Sequence, residues 1–149
     1  MAPFLCNQWY TAATSTELGA KPLARTICNE PLVIFRAEDG AVAALTDRCP
    51  HRKAPLSAGE VVGNAIQCGY HGIRFATDGA CTHVPGNVAI GRNFRARCFP
   101  AREIHGLVFV WFGEPSLADP ALIPDFSGTS NPAGPAFTAR FTSKATISC

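Results

Sequence analysis

A chain of 149 residues with 47% apolar and 16% charged side chains can bury one core, which excludes a disordered chain and leaves too little length for two full domains. Thirteen basic against eleven acidic residues give a formal charge of +2 with no block of one sign, so neither a nucleic-acid groove nor an anionic-membrane patch is expected. The longest apolar stretch, Leu107 to Phe112, falls far short of the roughly 20 residues that cross a bilayer. No Lys or Arg precedes Lys21, so the charged start of a secretory signal is missing and a cytoplasmic location is the expectation.

In chain order, Thr14 and Glu17 stand at capping-box spacing, but Gly19 and Pro22 stop anything longer than a turn or two. Residues 31–46 read as a hairpin, because the apolar runs Leu32 to Phe35 and Ala41 to Leu45 flank Asp39-Gly40. A second hairpin is predicted where Ile73 to Phe75 and Ala80 to Val84 flank Asp78-Gly79. Gly106 to Phe112 is apolar on both faces, as a strand covered on both sides would be, with Phe94 to Phe99 as its expected antiparallel neighbour. Twelve prolines and thirteen glycines between such short runs make the class mainly β. After Gly113 the chain becomes rich in Pro, Gly and small polar residues, so 116–135 is read as a linker. Residues 136–149 alternate like a strand with no partner. That pattern predicts a domain over 1–115 followed by the first strand of a truncated second domain.

The chemistry concentrates in two short arms. Cys49-Pro50-His51 and Cys68-Gly69-Tyr70-His71 each supply one thiolate and one imidazole, separated by the sixteen residues Arg52 to Gln67. Two mixed arms can place both sulfurs on one iron and both nitrogens on another, which a Rieske [2Fe-2S] centre requires. Structural zinc also accepts two Cys and two His, but its arms normally pair like with like. Cys49, His51, Cys68 and His71 are therefore the candidate cluster and metal ligands, and no residue is assigned a catalytic role. Cys6, Cys28, Cys81, Cys98 and Cys149, with His83 and His105, are assigned none either. Tyr70 is read as cover for the cluster.

Beyond the arms, Asn7-Gln8-Trp9-Tyr10, Asp47-Arg48-Cys49-Pro50-His51-Arg52, Ala54-Pro55-Leu56-Ser57, Cys68-Gly69-Tyr70-His71-Gly72 and the run Ala118 to Phe126 resemble landmarks of the vanillate O-demethylase oxygenase group. That group of Rieske non-haem iron oxygenases includes the dicamba demethylase type. The resemblance implies a Rieske-type antiparallel β-sandwich of small sheets with two cluster-binding loops at one tip. It also implies electron transfer from a ferredoxin or flavin-dependent reductase to a mononuclear Fe(II) domain, in a homotrimer that demethylates or hydroxylates an aromatic compound. The two-His-one-carboxylate site is missing here: all four histidines precede residue 106 and two belong to the arms. The 149 residues should then transfer electrons without oxygenating. High-potential Rieske proteins carry a loop-bridging disulfide and a serine two residues after the last His; here those positions hold Ala54, Tyr70 and Ile73, which implies a low potential. Many relatives have proline where Gly69 stands. The competing readings are a stand-alone Rieske ferredoxin, which acts as a carrier only, and a zinc-stabilised interaction module.

Overall fold

The computed structural model describes residues 4–86, 90–91 and 93–127. Within them the chain forms strands β1 (Gln8–Thr14), β2 (Leu23–Ile27), β3 (Glu30–Arg36), β4 (Val42–Thr46), β5 (Glu60–Val62), β6 (Ala65–Gln67), β7 (Arg74–Ala76), β8 (Cys81–His83), β9 (Cys98–Phe99), β10 (Ala101–Ile104) and β11 (Leu107–Phe112). They assemble into three antiparallel sheets ordered β1-β11-β10, β2-β3-β4-β9 and β5-β6-β7-β8. The only helical elements among the described residues are 3-10 turns at Leu56–Ala58, Pro115–Leu117 and Pro120–Leu122. The mainly β, small-sheet architecture is the one expected.

Strand β3 organises the layers. Side chains alternate across a strand, so Leu32 and Ile34 enter one core with Ala12, Ala13, Val108, Val110 and Phe112. Val33 and Phe35 enter a second core with Leu45, Leu56, Ile66, Ile73 and Phe75. The sheet containing β3 is thus a middle layer, with the β1-β11-β10 sheet on one side and the β5-β8 sheet on the other. Burial on both faces explains the unbroken apolar run in β3.

Both predicted hairpins form, and their turns are built alike. Gly40 N donates to Ala37 O, Ala37 N to Ala41 O, and Asp39 Oδ1 accepts from Ala41 N. Gly79 N donates to Ala76 O, Ala76 N to Ala80 O, and Asp78 Oδ1 accepts from Ala80 N. The predicted neighbour of β11 is corrected: β11 lies between β1 and β10, while Cys98–Phe99 pairs with β4. The reason is a tight turn at His105-Gly106, whose φ values of 52° and 77° are those of a two-residue hairpin loop that usually carries Asn-Gly. That turn folds Ala101–Ile104 back on β11. Thr14 to Leu18 makes one turn and no helix, closed reciprocally by Thr14 N to Glu17 Oε2 at 2.8 Å and Glu17 N to Thr14 Oγ1 at 3.2 Å.

Strand β11 is indeed covered on both sides. Its outer face carries Phe109 and Trp111, with Trp9 of β1 edge-on to Trp111 at 5.3 Å. Residues 114–127 run over this face, so the described part of the segment read as a linker packs on the sheet. Ile123 is buried there and Phe126 stacks on Phe109. The strand predicted over 136–149, and Cys149 with it, lie outside the described residues.

Candidate iron–sulfur site

The two arms occupy loops that hang from the second core: residues 47–55 lead from β4 to the 3-10 turn before β5, and residues 68–73 connect β6 to β7. Backbone bonding is the same in both. Cys49 N donates to Ala54 O at 2.8 Å and Lys53 N returns to Cys49 O at 2.8 Å; Cys68 N donates to Ile73 O at 2.8 Å and Gly72 N returns to Cys68 O at 3.0 Å. In each loop the fourth residue after the cysteine has a left-handed backbone, Lys53 at φ 61° and Gly72 at φ 72°. The cysteine therefore sits at the closed base of a five-residue cycle, and the histidine two or three positions on sits at its apex.

Other residues lock the first loop. Asp47 N donates to Pro31 O at 2.7 Å, and its carboxylate accepts from both Ser57 N at 2.7 Å and Ser57 Oγ at 2.6 Å. A Cβ on Gly59 would run into Gln67 O, so glycine there brings the end of the first loop against the strand leading into the second. The Pro85 ring lies 3.1 Å from where a Cβ on Gly72 would be. Asp47, Ser57, Gly59 and Pro85 were not identified from sequence as part of the site; the Asp-x₉-Ser pairing and the Pro-Gly turn at 85–86 are its weak local signals.

The side chains sort by element. Cys49 and Cys68 are only 1% and 2% exposed, and their thiols are hydrogen-bonded to each other among Leu56, Ile66, Ile73 and Phe75. Burial pushes the Cys49 thiol up, the backbone N–H groups of His51 and Arg52 aimed at it act in the opposite direction, and Cys68 beside it adds to the rise. On the outer side His51 Nδ1 faces His71 Nδ1 at 3.1 Å, with ring centroids 4.7 Å apart. The His51 imidazole is held below its ordinary pKa by desolvation first, then by His71 and Arg52, which favours the neutral form a metal ligand needs. The Tyr70 ring lies 3.9 Å from that of His71 and is 65% exposed.

This donor set fits a two-iron, two-sulfide cluster. The sulfur pair lies in an apolar, water-poor base with amide N–H donors aimed at it, where thiolate and sulfide charge can be held. The nitrogen pair lies at the rim. A mononuclear zinc site gathers its ligands at one point, and among the described residues no three of His, Cys, Asp and Glu gather in that way. Cys81-Thr82-His83 repeats the Cys-x-His spacing of the first arm, but it lies along β8 and Cys81 Sγ is directed at His83 O at 3.8 Å. Cys81 and Cys98 are in no disulfide.

Three stacked antiparallel sheets with two twin loops presenting two sulfurs and two imidazoles define an iron–sulfur electron-transfer domain. The chain belongs to the Rieske [2Fe-2S] domain family, whose model matches residues 8–100. It is 50% identical over 131 residues to the dicamba O-demethylase oxygenase component of Stenotrophomonas maltophilia, a match covering 87% of this chain and 39% of that protein. It is 43% identical over 126 residues to the vanillate O-demethylase oxygenase subunit of Pseudomonas sp. strain HR199, covering 85% of this chain and 35% of that one. A crystal structure of dicamba monooxygenase with non-heme iron and dicamba superposes with a TM-score of 0.81 at 49% identity, over 88% of this chain and 40% of that chain. The chain thus spans about two fifths of the length of these relatives. Among the described residues no helix is long and apolar enough to cross a membrane.

Proposed function

We propose that Cys49 and Cys68 bind one iron of a [2Fe-2S] cluster and His51 and His71 the other. In this reading the chain is the electron-transfer part of an oxygenase that demethylates or hydroxylates an aromatic compound. The observation that carries the proposal is the segregation of the buried sulfur pair from the rim pair of imidazoles at 3.1 Å. When bound, such a cluster accepts and releases one electron. The chain's own residues set the conditions: the N–H groups of His51 and Arg52 stabilise charge on the Cys49 sulfur, the apolar base excludes water, and the imidazoles form the rim facing a partner. A low potential follows from Ile73, fully buried, standing where high-potential members have a hydroxyl donor.

The donor is a ferredoxin or flavin-dependent reductase and the acceptor a mononuclear-iron domain, in a homotrimeric, cytoplasmic enzyme. Residues 1–115 hold the sheets and site loops of the cluster domain, the segment after them packs on it as far as residue 127, and the start of a catalytic domain follows. The chain's coverage of about two fifths of oxygenase components supports this layout over a stand-alone carrier. Metal analysis and visible spectroscopy test the cluster. The purified chain should contain two irons and two acid-labile sulfides and bleach on reduction, and Cys68→Ala should lose both elements. A colourless protein that binds one zinc would overturn the reading.

A further inference from the structure

We propose that residues 114–127 are a latched strap belonging to this domain, and that His105 is the latch. The strap lies beyond the Rieske domain model, which ends at residue 100, and, although its run Ala118 to Phe126 is among the oxygenase-group landmarks, it was read from sequence as the start of a linker. Its composition gives no apolar period, yet it is tied to the sheet along its whole length. Glu114 N donates to the side-chain Oδ1 of Asn7 at 2.9 Å. The protein has two tryptophans, and both indoles donate to strap carbonyls: Trp111 Nε1 to Glu114 O at 2.9 Å and Trp9 Nε1 to Asp119 O at 2.8 Å. Ile123 is buried, and Phe126 stacks on Phe109 at 6.2 Å with an interplanar angle of 16°.

The far end is closed by His105 Nε2, 3.3 Å from Asp125 Oδ1. His105 occupies the first position of the β10–β11 turn at φ 52°, a left-handed position that favours asparagine and admits histidine, and its ring reaches across to the strap. In the hairpin that carries the latch, Ala101 to Ile104 pair with β11, so the strap is held as far as Phe126 by the fold and is not a flexible tether.

The test uses His105→Asn, which keeps the turn chemistry and removes the latch, together with Asp125→Ala, the double variant and Phe126→Ala. Strap opening is read by hydrogen exchange at the two indole N–H groups and by thermolysin cleavage within 114–127, both of which track the open population when closing is fast. His105→Asn and Asp125→Ala should each speed exchange and cleavage about two- to fivefold, the range of an exposed polar side-chain pair. The double variant should do no more than the larger single one. Phe126→Ala should act on the order of tenfold. Backbone amides of β10 and β11 should keep their exchange rates in His105→Asn. Unchanged indole exchange in both single variants, additive effects in the double variant, or equal loosening of the β10–β11 amides would overturn the proposal.

Discussion

Lys53 and Gly72 hold equivalent places in the two site loops, each donating its N–H back to the cysteine four residues earlier from a left-handed backbone. Their surroundings differ. Lys53 is exposed, whereas a Cβ at Gly72 would lie 3.1 Å from Pro85 Cγ. Left-handed geometry costs an L-residue roughly 1–2 kcal/mol, and glycine costs roughly half as much in chain entropy. Lys53→Gly should therefore be neutral or stabilise by up to about 1 kcal/mol. Gly72→Ala should destabilise by about 1–3 kcal/mol through strain and the proline contact. Urea titration and iron content measured together distinguish the two: Gly72→Ala should lose iron more readily, and equal effects at both positions would contradict the loop equivalence.

The two Asp-Gly turns make the same comparison between elements. Gly40 at φ 89° has open space where a side chain would go, while a Cβ at Gly79, φ 81°, would run into Ala96 O. Ala96 N in turn donates to Gly79 O at 2.9 Å, so the β7–β8 hairpin is fastened to the segment leading into β9. Gly40→Ala should cost about 1–2 kcal/mol, and Gly79→Ala about 2–4 kcal/mol as the close backbone contact is forced apart. Denaturant midpoints would show whether the order is correct. Both turns were legible in the sequence because Asp-Gly chemistry is local, and the Cys-x-His and Cys-x-x-His spacings that nominate the four candidate ligands are local in the same way. What was not legible is non-local. Strand β1, with Gln8-Trp9-Tyr10-Thr11-Ala12-Ala13-Thr14, has no clean alternation and a register shift between Thr11 and Ala13, and it is ordered by β11 nearly a hundred residues on. Strands β5 and β6 have three residues each, too few for any period to appear. The β10–β11 turn was missed because His105 stands where asparagine usually signals it.

Across the whole molecule, Arg36 of β3 joins the middle sheet to the β1-β11-β10 sheet through a two-pronged pair with Glu103 of β10, at 2.7 and 2.9 Å. The guanidinium holds the Glu103 carboxyl down to about 2. A depressed carboxylate contributes stability above its unfolded value, near 4.5, and loses it as pH falls towards 2. At a partly solvated site the contribution is about 1 kcal/mol or less. The gap in thermal stability between the parent protein and Glu103→Gln should therefore be present at pH 6 and shrink by pH 3. A gap that stays constant over that range would rule out the pair as its source.

The layering bears on where an electron can go. The imidazole rim hangs from the sheet on one side of the middle layer, while the strap lies on the outer face of the sheet on the other side. The middle sheet stands between the core that carries the rim and the face that carries the strap, and stacked sheets are spaced about 10 Å apart. A partner seated at the rim and one gripping the strap would therefore not compete for the same face.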